Sequence, residues 1–331
     1  MFDPALNATL QRMQWVGFDW FFLAATALAY APVLIGLLSI LYWSWNKDKA
    51  FGLIQLCVYS NLIEHLLKET FQSLRPFQVD PQHVQVLDCF MRRQLDLAGS
   101  RWLAPDGVSY SFPSGHAQVA ICLYGALAFH LRRRAVTIGA VILIALIAFS
   151  RLYLGVHFLG DVLGGVVIGS MLLAVYLVIV RQKERRVANL SYSCPERRTR
   201  IFTGEHFMVF LLFAAPIVLF LPRADMLSAR RVAFLLGFMA GYFAERGWLR
   251  FSTSGPTKQQ TQRVALGLIT LGGAYLISNR LLSSAAKPGL SWAIFLNAVC
   301  YSAIGLMVSL GIPWLFTATA LANRREKEKP Q

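Results

Sequence analysis

The sequence predicts an all-α protein: a polytopic membrane helical bundle of about nine transmembrane helices, with a five-helix core followed by a C-terminal helical extension. Three observations lead there. Of 331 residues, 56% are hydrophobic and only 15% charged, with mean hydropathy +0.50, so the chain cannot cover itself with the polar surface of a soluble domain. Its apolar residues gather into runs near the ~20 residues that a hydrocarbon core of ~30 Å demands. Basic clusters close most of those runs.

Taken in order, residues 1–20 place Phe2, Leu6, Leu10, Met13 and Val16 at spacings of three and four, which reads as a short amphipathic interfacial segment, with a frayed tail as the competing reading. Core spans are expected near 21–44, 51–67, 115–131, 136–153 and 158–180, making 21–180 the core domain. Between the second and third, residues 69–114 carry Pro76, Pro81, Pro105 and Pro113 and are too polar to cross a bilayer. A basic linker follows at 181–205. Runs near 206–222, 231–248, 264–282 and 291–320 make a C-terminal extension, 206–321, and a basic tail closes the chain at 322–331. Gly311 and Pro313 predict that the last run is tilted, broken or two pieces.

The formal charge of +15 would suggest nucleic acid in a soluble protein, but a polytopic membrane protein collects Lys and Arg in cytoplasmic loops, so no nucleic-acid partner is expected. One set of loops holds 20 of the 32 Lys and Arg and the other 12, which makes the richer side cytoplasmic and the N-terminus external. The five Cys show no CxxC pair and indicate no disulfide framework; no cleaved signal peptide is expected. His83, His130 and His206 have no ligand spacing, and no metal site or cofactor is expected. Asn7-Ala-Thr9 and Asn189-Leu-Ser191 match the glycosylation sequon, with chance as the default reading.

On the non-cytoplasmic side three groups of polar residues meet: Lys68 with Arg75-Pro76, then Pro113-Ser114-Gly115-His116, then Ser150-Arg151 with His157 and Asp161. Ionisable residues are costly at a bilayer edge and are usually there for function. Lys68, Arg75 and Arg151 supply cations suited to a phosphate, and Ser114 and Gly115 open a span where free N–H groups favour an anion. One histidine can attack phosphorus as neutral imidazole while the other protonates the departing oxygen. His157 and Asp161 lie four apart, the spacing at which a carboxylate orients an imidazole on one helix face. Glu64 and His65, about one turn from Lys68, read equally as supporting groups or as residues bonded to neighbouring helices.

These signatures resemble those of the type 2 phosphatidic acid phosphatase and haloperoxidase superfamily, complete and in order over Lys68–Pro76, Pro113–His116 and Ser150–Asp161. The resemblance covers roughly residues 50–180. It implies that His157 is the nucleophile, oriented by Asp161, that His116 is the acid and then the base, and that Lys68, Arg75, Ser114, Gly115 and Arg151 hold the phosphoryl oxygens. It implies a metal-independent membrane phosphatase acting through a phosphohistidine on a lipid phosphate or pyrophosphate. The location expected is a bacterial inner membrane, with the site facing the periplasm or exterior. The rivals are a phosphotransferase and a non-catalytic transporter or scaffold. Residues 206–321 carry no such signature; a structural or homodimer-forming role is preferred to substrate selection.

Overall fold

In a computed structural model, residues 2–87, 110–191, 226–284 and 290–323 are described. The expected span at 206–222, the charged positions Asp88, Arg92, Arg93, Asp96 and Arg101, and Cys89, Cys194 and His206 lie outside them, as does most of the basic tail.

The described secondary structure is helical. In chain order the helices are α1 (Ala5–Gln11), α2 (Val16–Ala27), α3 (Ala31–Ser44), α4 (Lys47–Phe71), the short α5 (Pro76–Val79), α6 (Gly115–Leu131), α7 (Arg134–Tyr153), α8 (Leu159–Ser191), α9 (Met226–Ala244), α10 (Thr257–Ser284), α11 (Leu290–Leu306) and α12 (Ile312–Ala318). Among the described residues, five helices are long and apolar enough to cross a membrane, or six if the bent pair α2 and α3 is one span. The chain is thus an integral membrane protein.

The chain separates into two compact units, Met1–Ile35 with Tyr59–Arg181, and Gly36–Val58 with Gln182–Gln331. Residues 36–58, the end of α3 and the start of α4, therefore cluster with the C-terminal helices.

Where one straight span was expected near 21–44, two helices meet at an angle of 51°. Pro32 is the cause, because its ring would collide with the carbonyl four residues back, that of Leu28, and it has no N–H to give it. The Tyr124 hydroxyl of α6 donates to that Leu28 carbonyl at 2.9 Å, so the break leaves no buried acceptor unsatisfied. The final run, by contrast, forms one candidate span, Trp292–Ala318, with a π turn at Met307–Gly311 just before Pro313. The Ser309 carbonyl, four before Pro313, takes the Tyr42 hydroxyl at 3.2 Å, and Trp43 Nε1 donates to the Val308 carbonyl at 2.9 Å. Each proline is accommodated by an aromatic donor from far away in the chain.

Within the first unit, α6 and α8 approach closely. A Cβ on Gly165 would lie 2.4 Å from the Ser114 carbonyl oxygen, and one on Gly169 would lie 2.7 Å from that of Gln118. These two glycines, four residues apart, let backbone meet backbone, as small-residue stripes do in membrane bundles. Gln118 also ties α6 to α4, donating to the Ser60 carbonyl at 2.7 Å.

Within the second unit, Arg263 of α10 is fully buried and donates to the carbonyls of Trp43, Thr253, Ser254 and Leu321. Lys47 pairs with buried Glu245 at 2.7 Å, and Asp48 accepts from Tyr242 at 2.6 Å and from Arg246.

Candidate active site

The turn Leu154–Phe158 joins α7 to α8 and carries His157. Gly155 is placed here by necessity: its φ is +72°, and a Cβ would stand 2.4 Å from the Gln85 carbonyl oxygen. Asp161 lies in the first turn of α8. Its Oδ2 accepts from the Phe158 N–H at 2.8 Å and from the Ser111 hydroxyl, and sits 3.5 Å from His157 Nδ1. The carboxylate is thereby fixed by its own helix start and by the segment before Pro113.

Arg75, at the start of α5 and fully buried, donates from Nη1 to the Val156 carbonyl at 2.7 Å, and the same nitrogen lies 3.5 Å from His157 Nε2. Lys68, in the last turn of α4, pairs with Glu64 at 2.7 Å, both largely buried. Glu64 was undecided from sequence; here its carboxylate packs against Gly115, where a Cβ would come within 2.3 Å of it. Arg151 is buried at the end of α7 and donates to the Thr26 hydroxyl of α2. Ser114 precedes α6, its N–H bonded to the Asp161 carbonyl at 3.0 Å. His116, half-buried on the first turn of α6, meets the Tyr30 ring edge to face with centroids 4.8 Å apart. The buried Ser114 Oγ and His116 Nε2 have no hydrogen-bond partner among the described residues. Buried polar atoms are nearly always bonded, so these two are suited to a ligand or water.

All three polar groups expected from the sequence therefore come together in the first unit. His157 lies in the turn between membrane helices, and burial holds its imidazole well below the ordinary 6.5, with Arg75, Lys68, Arg151 and His116 adding to the effect in that order. The ring is neutral near pH 7, the form in which a histidine is a nucleophile. Among the described residues no group of three or more His, Cys, Asp or Glu is arranged to hold a metal ion.

Sequence reasoning passed over four neighbours. Ser111 grips Asp161; Ser73 holds the same segment, its hydroxyl accepting from the Phe112 N–H at 2.8 Å; Thr26 takes Arg151. The fourth is Asn7, buried completely beneath the His157 turn. None has a spacing rule to announce it, and Asn7 drew notice only as the first residue of a glycosylation sequon. Its burial also removes it as a glycosylation acceptor in the folded chain. His83 instead pairs with Asp80 at 2.9 Å on the surface, and His130 with the Tyr176 hydroxyl at 2.8 Å.

Two family descriptions match the chain in succession: the PAP2 superfamily over residues 49–186, and the PAP2 superfamily phosphatase transmembrane extension over residues 229–324. The chain belongs to the PAP2 superfamily. Among characterised proteins, this PAP2 chain is similar to phosphatidylglycerophosphatase B of Bacillus subtilis, 29% identical over 182 residues covering 51% of the chain and 73% of that protein. It is also similar to lipid phosphate phosphatase delta of Arabidopsis thaliana, 26% identical over 217 residues, and to lipid A 4'-phosphatase of Porphyromonas gingivalis, 25% identical over 213 residues. Each of these last two matches covers 62% of the chain; the first spans 47% of the Arabidopsis protein, just under half its length, and the second 84% of the Porphyromonas protein. A crystal structure of a transmembrane PAP2 type phosphatidylglycerolphosphate phosphatase from Bacillus subtilis matches with TM-score 0.42 and 23% identity, covering 54% of this chain and 85% of that one.

Proposed function

We propose that this PAP2 protein is a membrane phosphatase that hydrolyses a phosphomonoester or pyrophosphate on a lipid through a phosphohistidine at His157. The observation that supports the reading best is the Arg75 guanidinium and the neutral His157 imidazole standing 3.5 Å apart in a buried site also reached by Lys68, Arg151 and His116. In the first step His157 Nε2 attacks phosphorus, the bond to the lipid oxygen breaks, and His116 gives that oxygen its proton. Asp161, beside Nδ1, stabilises the ring as it gains positive charge. In the second step His116 takes a proton from water, which attacks the phosphorus and releases His157 and inorganic phosphate. Lys68, Arg75, Arg151, the Ser114 hydroxyl and the N–H groups opening α6 meet the charge on the phosphoryl oxygens.

A lipid substrate accords with catalytic groups at the ends of membrane helices and with the names of the three relatives. The topology belonging to this reading has nine spans, an external N-terminus and a periplasmic or external site in a bacterial inner membrane, from the excess of Lys and Arg in the opposite loops. Residues 21–180 form the catalytic core in this reading, and 206–321 a structural or dimer-forming extension.

The test is a rate comparison in detergent on phosphatidic acid, phosphatidylglycerophosphate, undecaprenyl pyrophosphate and a sphingoid phosphate, with chelator present. Wild type should release phosphate from at least one of them, and His157→Ala should be slower by on the order of a thousand-fold or more and take no radiolabel from a labelled donor. Equal rates for the two proteins would leave the scaffold reading standing. Label passing to an added acceptor in place of free phosphate would make the protein a transferase.

A further inference from the structure

Helix α1 lies outside both matched regions, which begin at residue 49. It nevertheless bonds to the junction that carries His157. Asn7 is fully buried, and its one amide nitrogen donates to two carbonyls of the α7–α8 junction, Leu152 at 2.8 Å and His157 itself at 3.0 Å. One turn later Gln11 donates to the carbonyls of Gln85 at 2.7 Å and Tyr153 at 3.2 Å, and accepts from the Gln85 N–H at 2.9 Å. Between them Leu10 packs into both apolar clusters around the junction, that of Ala117, Ala148, Leu152 and Val162 and that of Tyr153, Leu154 and Val156. Phe2 completes the helix's attachment, its ring edge-on to Phe112 and to Phe158.

The turn needs such a support. Past the end of α7 the Leu152 carbonyl is met by its own chain only through the Gly155 N–H at 3.1 Å, the carbonyls of Tyr153 and His157 lack even that, and a buried carbonyl without a donor is costly. The His157 and Val156 N–H groups reach the Arg151 carbonyl only at 3.3 Å, so the junction's own hydrogen bonds hold the imidazole's backbone weakly. An amide is suited to the task because one –NH2 group supplies two donors on one rigid plane.

We propose that Asn7 is a positioning residue: through its paired hydrogen bonds α1 sets the height and tilt of His157 relative to Arg75 and Asp161. The proposal rests on the reading of His157 as nucleophile and adds a component from outside the matched family region. Asn7 touches no reacting atom. It acts only by holding the carbonyl of the residue that does.

The experiment uses the full chain in detergent and the fastest-cleaved lipid of the panel above, with Asn7→Ala, Gln11→Ala and, as control, Tyr124→Phe, which removes a hydrogen bond elsewhere in the same unit. Deuterium exchange of the amides from Tyr153 to His157 is read alongside the rates. Asn7→Ala should speed exchange in that segment and lower kcat by on the order of ten- to a hundred-fold with KM changed less than about two-fold. It should also move the acid limb of kcat/KM upward toward pH 6.5, because the imidazole leaves its buried place beside Arg75. Gln11→Ala should shift all three in the same direction by less, which keeps the test available if Asn7→Ala does not fold, and Tyr124→Phe should shift none. Wild-type exchange in 153–157, or an unchanged acid limb and kcat per folded molecule, overturns the proposal whatever happens to stability. Activity retained in His157→Ala would instead sink the reading of the nucleophile, so the two failures are distinct.

Discussion

His157 shows how much a single residue owes to its surroundings. A solvent-exposed imidazole with the ordinary value of 6.5 would be mostly protonated, and so unable to attack, at pH 5.5. In the folded chain burial and the cations around it favour the neutral ring, so the nucleophilic form persists as pH falls. The acid limb of kcat/KM is therefore expected below pH 6.5. A pH–rate profile whose acid limb lies at or above that value would mean the ring is exposed or unaccompanied by cations. Arg75 allows a second prediction. Its fork holds the Val156 carbonyl while lying beside the imidazole. The other arm of the fork, Nη2, donates to the Tyr110 carbonyl at 3.4 Å, and the single ammonium of a lysine cannot hold both carbonyls, so Arg75→Lys should cost roughly ten- to a hundred-fold in kcat/KM at unchanged charge. These candidate positions were legible in sequence because Lys68, Arg75, His116, Arg151, His157 and Asp161 sit within three signatures of fixed local spacing. Ser73, Ser111 and Thr26 were not, because their partners lie tens to more than a hundred residues away and no local pattern encodes that.

Among the elements, the fate of two prolines separates local from tertiary effects. Pro32 breaks a run that composition alone presents as one span, whereas the run containing Pro313 stays one candidate span through a π turn. Both outcomes follow the same rule, that the carbonyl four residues back must find another donor. Which donor is available, Tyr124 in the first case and Tyr42 in the second, is decided by packing. The α6–α8 contact carries a further prediction. Gly165→Val would push its side chain into the Ser114 carbonyl, at the residue that precedes α6. It should destabilise by about 1–3 kcal/mol, seen as a lower thermal midpoint in detergent, and depress activity beyond the loss of folded protein. An effect on midpoint alone would mean that the Ser114 turn yields without consequence for the site.

For the whole molecule, the first unit contains every candidate catalytic side chain, while the second is built around a buried cation. Arg263 satisfies four carbonyls at once, so Arg263→Ala should cost about 3 kcal/mol or more in stability. If the C-terminal helices are structural, kcat of the folded fraction should remain that of wild type; a changed lipid preference would favour substrate selection instead. Composition and run length were enough to determine a helical membrane protein, and the three local signatures were enough to nominate the candidate site residues, because both depend only on neighbours within a few turns. Tertiary structure alone decided that the N-terminal segment is tied to the α7–α8 junction through buried Asn7 and is not a frayed tail, that α3 and α4 contribute residues 36–58 to the second unit, and that Glu64 sits against Gly115. The reason is physical: a buried carbonyl or cation must be matched by whatever group the fold brings to it, and Asn7 reaches its two acceptors across about 150 residues of intervening chain.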